Sequence, residues 1–243
     1  MIYLTGFHAI EERIKSGAPT GPLLAAKAGP RARELVALAV SHKIRVDRVG
    51  TSDLDRLAPD HRGIALELEE AGPANETTLE EFFSKVGDRK DALAVVLDEI
   101  TDPHNYGAIL RSCDQFGVDI VLTRRRRIAK NAETISKTSA GAVSWVPVAE
   151  TANLGRTVEE LKAAGFWIYG ADMAGEPVYQ RDLGGRTALI LGGEGTGISR
   201  LLKEQCDALV GIPSYGGRID SLNVSVAAGV LFYEVQRQRA VKQ

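Results

Sequence analysis

The chain reads as an α/β protein in two parts, a small α/β unit followed by a larger domain built on a parallel sheet. Three observations carry that reading. From Ala92 onward the apolar runs are unbroken rather than alternating, as strands covered on both faces require. Helical patterns separate these runs, which is the rhythm of a parallel sheet flanked by helices. A cluster of chain breakers, Gly72, Pro73, Asn75 and Thr77, divides this stretch from a shorter one before it.

In order, Ile2–Thr5 predicts a strand and Ala9–Lys15 a helix ended by Gly17. Leu23–Lys27 is a second strand, and Pro30 opens a helix carrying Ala32, Leu35, Val36, Leu38 and Ala39. Arg45–Val49 and Ile64–Leu68 complete the strands, with Leu54 and Leu57 on a short helix between them. Residues 1–70 thus form the first domain. Residues 71–90 form a linker with a short polar helix over Leu79–Val86, and residues 91–243 form the second domain. Its strands are Leu93–Leu97, Ile120–Leu122, Phe166–Tyr169, Ala188–Leu191 and Leu209–Ile212. Its helices are Ile109–Phe116, Ala132–Ser139, Val158–Ala164, Ser199–Cys206 and Asn223–Arg239. The last repeats apolar residues at Val224, Ala227, Ala228, Leu231 and Val235, a core-facing stripe.

Composition narrows the function classes. The two cysteines, Cys113 and Cys206, have no Cys/His partners nearby, so neither a zinc site nor a disulfide framework is expected. The start, Met-Ile-Tyr-Leu-Thr-Gly-Phe-His, has no basic leader, and no apolar stretch reaches membrane-spanning length. A cytoplasmic chain without metal or membrane contact is the expectation. Net charge is −2, so nucleic-acid binding would rest on local patches. One such patch is Arg124, Arg125, Arg126 and Arg127 with Lys130 and Lys137, which is either a solvated loop or a phosphate-backbone contact.

Polar or glycine-rich clusters follow three strands, where open α/β sheets bind ligands. The first is Asp98-Glu99-Ile100-Thr101-Asp102-Pro103-His104-Asn105-Tyr106-Gly107-Ala108-Ile109-Leu110-Arg111. Asp102, Asn105 and Pro103 suit a helix entry. Capping does not explain Arg111, one and a half turns further in and near Asn105 in projection, whose planar fork can hold a phosphate or substrate oxygen. The second is Gly192-Gly193-Glu194-Gly195-Thr196-Gly197-Ile198-Ser199. Ile198 stands where a dinucleotide fingerprint needs its third glycine, and there is no P-loop lysine. It is a turn whose backbone approaches a ligand, with Glu194 as an acidic contact, or a plain glycine-rich loop. The third runs Ile212-Pro213-Ser214-Tyr215-Gly216-Gly217-Arg218-Ile219-Asp220-Ser221-Leu222-Asn223-Val224-Ser225 into the last helix.

Together these clusters resemble the three motifs of the SpoU/TrmH branch of the SPOUT RNA 2′-O-ribose methyltransferases. Asn105–Arg111 is similar to the first motif, Leu191–Gly197 to the second and Ser221–Ser225 to the third, over Leu93 to Arg239. Gly6-Phe7-His8-Ala9-Ile10-Glu11 and His61-Arg62-Gly63-Ile64 resemble the ribosomal-protein-like substrate-binding domain of the family's rRNA guanosine-2′-O-methyltransferases. The third motif departs from the family: Ser214 replaces a methionine, and Tyr215-Gly216-Gly217 makes the turn one residue longer, which bears on contacts at Ser214–Arg218.

The resemblance implies a parallel sheet whose C-terminal segment forms a deep trefoil knot, with an S-adenosylmethionine pocket in it. Leu191, Gly192, Gly197, Ile212, Pro213, Leu222 and Asn223 would bind the cofactor. Arg111, Asn105, Glu194, Ser221 and Asn223 would carry catalysis, with Arg111 and Arg124–Arg127 on RNA. Arg111 would hold phosphate or steady a developing alkoxide, since a guanidinium is effectively never deprotonated. The reaction would methylate a ribose 2′-hydroxyl, in a guanosine of large-subunit rRNA, by a homodimer formed through the knot region. Three alternatives stay open: a tRNA ribose methyltransferase, a non-catalytic RNA-binding assembly protein of the same fold, and an NAD-dependent enzyme, the last disfavoured by the failed glycine pattern.

Overall fold

The computed structural model describes residues 2–17, 20–26, 29–58, 61–68, 75–124, 132–216 and 221–242. Its elements begin β1 (Ile2–Leu4), α1 (Phe7–Lys15), β2 (Leu23–Ala25), α2 (Pro30–Ser41), β3 (Val46–Arg48), α3 (Thr51–Leu57) and β4 (Ile64–Leu68). They continue α4 (Leu79–Val86), β5 (Ala92–Asp98), α5 (Pro103–Gln115), β6 (Ile120–Arg124), α6 (Ala132–Thr138) and β7 (Val148–Thr151). The rest are α7 (Leu154–Ala163), β8 (Trp167–Pro177), β9 (Arg186–Gly192), α8 (Arg200–Glu204), β10 (Ala208–Gly211) and α9 (Val224–Lys242). Two compact units result: Met1–Asn75 with Ala129–Trp145, and Glu76–Ile128 with Val146–Gln243.

The first unit is a mixed sheet ordered β1-β4-β2-β3, in which β2 and β3 are parallel and β4 runs antiparallel to β1 and β2. Ile10, Ile14, Ala32, Leu35 and Ala39 of α1 and α2 pack against Leu4, Leu23, Ile64 and Leu66 of one sheet face. Leu54 of α3 packs with Leu24 and Ala65, which alternate to the opposite face. Helix α6 belongs to this unit, not to the domain that follows the breaker cluster in sequence. The buried guanidinium of Arg13 holds this excursion by donating from Nη1 to the Ser144 carbonyl at 3.2 Å.

The second unit is the expected parallel sheet, ordered β10-β8-β9-β5-β6-β7, with every pairing parallel. All seven residues of central strand β5 are buried. Ala92, Ala94 and Val96 face a cluster with Phe82 and Val86 of α4, Val158 and Leu161 of α7, and Leu202 of α8. Leu93, Val95 and Leu97 therefore point to the other face, where α5 and α9 pack together. Phe232 of α9 is wholly buried, so truncating it to alanine would cost about 3–5 kcal/mol. The stripe along α9 is buried at Ala228, Leu231 and Val235, while Val224 and Ala227 are half-buried. Within the segment read as a linker, α4 joins the second unit, opened by a reciprocal cap between Thr78 and Glu81.

Three elements differ from the sequence reading. Strand β7 was not anticipated; it is short, lies at the sheet edge and follows Pro147, whose missing N–H an edge tolerates. Helix α5 starts at Pro103, not Ile109, because Asp102 accepts from the N–H groups of His104 and Asn105, both at 3.2 Å. Strand β8 runs on to Pro177, and its register with β10 jumps: Leu209 pairs with Gly170, Val210 with Glu176. There a Cβ on Gly175 would lie 2.6 Å from the Val210 nitrogen, and one on Gly211 2.8 Å from the Asp172 carbonyl oxygen, so the two backbones approach this closely only because both are glycine. Among the described residues, no helix is long and apolar enough to cross a membrane.

Candidate active site

Strands β5 and β9 are paired in register to their ends, where Asp98 lies opposite Gly192. The loop into α5 and the turn into α8 therefore leave the same edge of the sheet side by side. The turn is tight. A Cβ on Gly192 would sit 2.0 Å from the Gly197 carbonyl carbon, so no other residue can stand there. The Gly197 N–H donates to the Gly193 carbonyl at 2.9 Å, closing the turn and leaving Glu194 exposed at its tip.

Glu194 is held from two sides. Asn105, in the first turn of α5 and buried, donates from Nδ2 to Glu194 Oε1 at 2.9 Å. Asn223 donates from its Nδ2 to the same oxygen at 2.7 Å and to Asn105 Oδ1 at 2.9 Å. Asn223 stands directly before α9, and its own Oδ1 accepts from the N–H and Oγ of Ser225 at 2.9 and 2.6 Å. One side chain thus caps a helix and closes a polar triad drawn from three distant segments. Among the described residues Glu194 Oε2 takes no hydrogen bond, so one carboxylate oxygen remains for a ligand.

The other expected residues lie around this triad in differing states. Ser221 and Leu222 are exposed, just ahead of Asn223. Ile212 and Pro213 are half-buried beyond the end of β10. Leu191 is 1% exposed and packs in the core, so only its backbone can meet a ligand. Gly197 is exposed on the turn. Arg111 is exposed on α5 and has no hydrogen-bond or ion-pair partner among the described residues. Its expected nearness to Asn105 in projection is corrected by helix geometry: six residues carry it about 120° around the axis and about 9 Å along it. Arg124 ends β6 half-buried, whereas Arg125, Arg126, Arg127 and Lys130 lie outside the described residues.

The sequence reading placed Asp98 at the head of the first cluster but gave it no role. It is wholly buried at the end of β5, and its Oδ2 accepts from the Ser199 N–H at 2.8 Å. The visible signal was an acidic residue directly closing an unbroken apolar run. Among the described residues no group of three or more His, Cys, Asp or Glu could hold a metal. Burial raises both thiols, Cys206 to about 11, and pushes Cys113 further up.

Comparison with known proteins identifies the family. The model of the SpoU rRNA methylase family matches residues 92–233, and that of the RNA 2′-O ribose methyltransferase substrate-binding domain matches residues 3–74. A Borreliella burgdorferi protein described as an uncharacterized tRNA/rRNA methyltransferase is 40% identical over 219 residues, 87% of this chain and 96% of its own length. The 23S rRNA (guanosine-2′-O-)-methyltransferase RlmB of Neisseria meningitidis is 37% identical over 243 residues, covering 98% of this chain and 95% of its own. The crystal structure of the SpoU methyltransferase AviRb from Streptomyces viridochromogenes, in complex with AdoMet, superposes with a TM-score of 0.79. It is 27% identical and covers 98% of this chain and 90% of that one. The chain therefore belongs to the SpoU rRNA methylase family.

Proposed function

We propose that this protein transfers a methyl group from S-adenosylmethionine to the 2′-hydroxyl of a guanosine in 23S rRNA. The observation that carries the reading is the hydrogen-bonded triad of Asn105, Glu194 and Asn223, which unites all three family motifs in one place. The rRNA and guanosine assignments rest on the RlmB relative of N. meningitidis, which aligns over nearly the whole chain. The matched substrate-binding domain supports residues 3–74 as the part that holds RNA.

The residues around the triad fit the cofactor. Among the described residues Gly195, Gly197 and Gly216 have no heavy atom within 4 Å of where a Cβ would be, which leaves room for a ligand against their backbone. Half-buried Ile212 and Pro213 and half-exposed Leu222 offer apolar surface to an adenine. When bound, the cofactor supplies an electrophilic methyl group on a sulfonium. The chain's own residues orient the acceptor. Glu194 Oε2 accepts from the ribose hydroxyl, while Asn105 and Asn223 hold its carboxylate rigid. Arg111, about 9 Å further along α5 and on another of its faces, would hold the adjoining phosphate with its planar fork of donors. Ser221 lines the same approach.

The close backbone approach at Gly175 and Gly211, with the register jump between β8 and β10, supports a knotted C-terminal segment. Leu222, Val226, Val230 and Tyr233 are 39–57% exposed at helical spacing before and along α9, and this apolar stripe supports a homodimer. Arg124 and the arginines after it would add phosphate contacts in a cytoplasmic setting where rRNA is made. The test is direct: tritiated methyl transfer to 23S rRNA transcripts, with the methylated ribose mapped, in the wild type and in Arg111→Ala. Near-normal turnover in Arg111→Ala with cofactor bound would remove Arg111 from catalysis. Transfer to tRNA alone would move the substrate.

A further inference from the structure

We propose that Asp98 is a positioning residue for methyl transfer, acting through the turn that carries Glu194. This rests on the methyltransferase reading above. Asp98 is 0% exposed and touches none of the triad, so it cannot meet substrate. Its place in the fold is nonetheless singular. It ends β5 directly opposite Gly192, where the turn begins, and its Oδ2 accepts from the Ser199 N–H at 2.8 Å, where the turn ends. The turn is thus pinned at its root by the sheet and at its exit by one carboxylate.

The chain leaving Asp98 is constrained as well. Glu99 follows with φ of 61°, a left-handed conformation that non-glycine residues adopt at a cost. Its carbonyl oxygen lies 2.8 Å from where a Cβ on Gly193 would be, so the loop that leads to Asn105 and the turn that presents Glu194 are in backbone contact. Asp98 stands at the common origin of the two segments that the Asn105–Glu194 bond joins.

A carboxylate is a costly device for a single cap. Ser199 opens α8 without a side-chain cap, and its own N–H is satisfied by Asp98. Among the described residues its second oxygen, Oδ1, is buried with no hydrogen-bond partner. A buried carboxylate with one unpaired oxygen costs folding free energy. The position of the turn, and not the stability of the fold alone, depends on the Asp98–Ser199 bond. Glu194 is exposed at the tip, so these anchors and its two amide partners set where its free oxygen points.

The test uses the full-length protein with Asp98→Ala, Asp98→Asn and Ser199→Pro. The asparagine keeps an acceptor for the Ser199 N–H. The proline removes that donor while suiting the Ser199 φ of −57°. Four quantities are read: hydrogen exchange at residues 193–199, S-adenosylmethionine affinity by calorimetry, RNA affinity by filter binding, and kcat at saturating cofactor and RNA. In Asp98→Ala the Ser199 amide should lose protection, and kcat should fall by about tenfold or more, equivalent to about 1.4 kcal/mol of barrier. Affinity for RNA should be unchanged. Asp98→Asn should restore both readouts to within about threefold. Ser199→Pro should reproduce the kcat loss, which keeps the test decisive if Asp98→Ala fails to fold.

Wild-type kcat in Asp98→Ala or in Ser199→Pro would overturn the proposal. So would Asp98→Asn that regains Ser199 protection but stays as slow as the alanine variant, since charge rather than the bond would then matter. A wild-type chain that binds cofactor but methylates no RNA would instead sink the methyltransferase reading itself.

Discussion

Asn223 does two jobs that one substitution can separate. Asn223→Asp keeps an oxygen that can accept from the Ser225 N–H and Oγ, and aspartate caps a helix as well as asparagine does. The amide nitrogen that donates to Glu194 Oε1 at 2.7 Å and to Asn105 Oδ1 at 2.9 Å becomes a second carboxylate oxygen. Two attractive contacts become repulsive. Two unit charges at about 4 Å repel by about 1 kcal/mol under full water screening. Glu194 is exposed, so that low value applies and the side chains can part. Adding the lost hydrogen bonds at about 0.5–1.5 kcal/mol each gives a displacement of Glu194 worth roughly 2–4 kcal/mol. If that displacement is felt in the transition state, kcat falls by about 30-fold to about 1000-fold.

The fold should barely notice, because the cap survives: far-UV circular dichroism and the melting midpoint should stay near those of the wild type. The assay is tritiated methyl transfer to rRNA, with calorimetry to confirm cofactor binding. Wild-type turnover in Asn223→Asp would refute the role of the triad.

Other consequences can be read with simple measurements. Gly192→Ala places a methyl group 2.0 Å from the Gly197 carbonyl carbon; the turn must move, and calorimetric affinity for S-adenosylmethionine should drop by at least about tenfold while the protein stays folded. Asn153 caps α7 by accepting from the Arg156 N–H at 3.2 Å, so Asn153→Ala should cost about 1 kcal/mol in denaturant unfolding. Turnover at 25 °C should not change in that variant, because α7 lies on the sheet face away from α5 and α9. Burial disfavours the thiolates of Cys113 and Cys206, so Ellman's reagent at pH 7.5 should label neither at an appreciable rate in the native protein and both after unfolding. Rapid native labelling of Cys206 would contradict its raised pKa.

Much of this protein was legible in one dimension. Local pattern is governed by period and breakers, so β4 and α4 fall where their residues predict, and the unbroken apolar run of β5 announces a strand buried on both faces. The chemistry of the clusters was legible too, because asparagine, glutamate and glycine at strand ends carry their meaning in residue type. Pairings between distant segments were not. The Asn223–Asn105 bond spans 118 residues, and no local energy encodes which carboxylate each amide meets. The same limit hid α6 in the first unit, and let Arg111 be read as a close neighbour of Asn105 although helix geometry turns it to another face. It hid the role of Asp98: along the chain it is an acid closing a strand, and only packing puts its carboxylate against the Ser199 N–H 101 residues away. Local periodicity selects elements; which buried polar groups meet is decided by how those elements stack, because only the assembled core brings them within 3 Å and shuts out the water that would otherwise satisfy them.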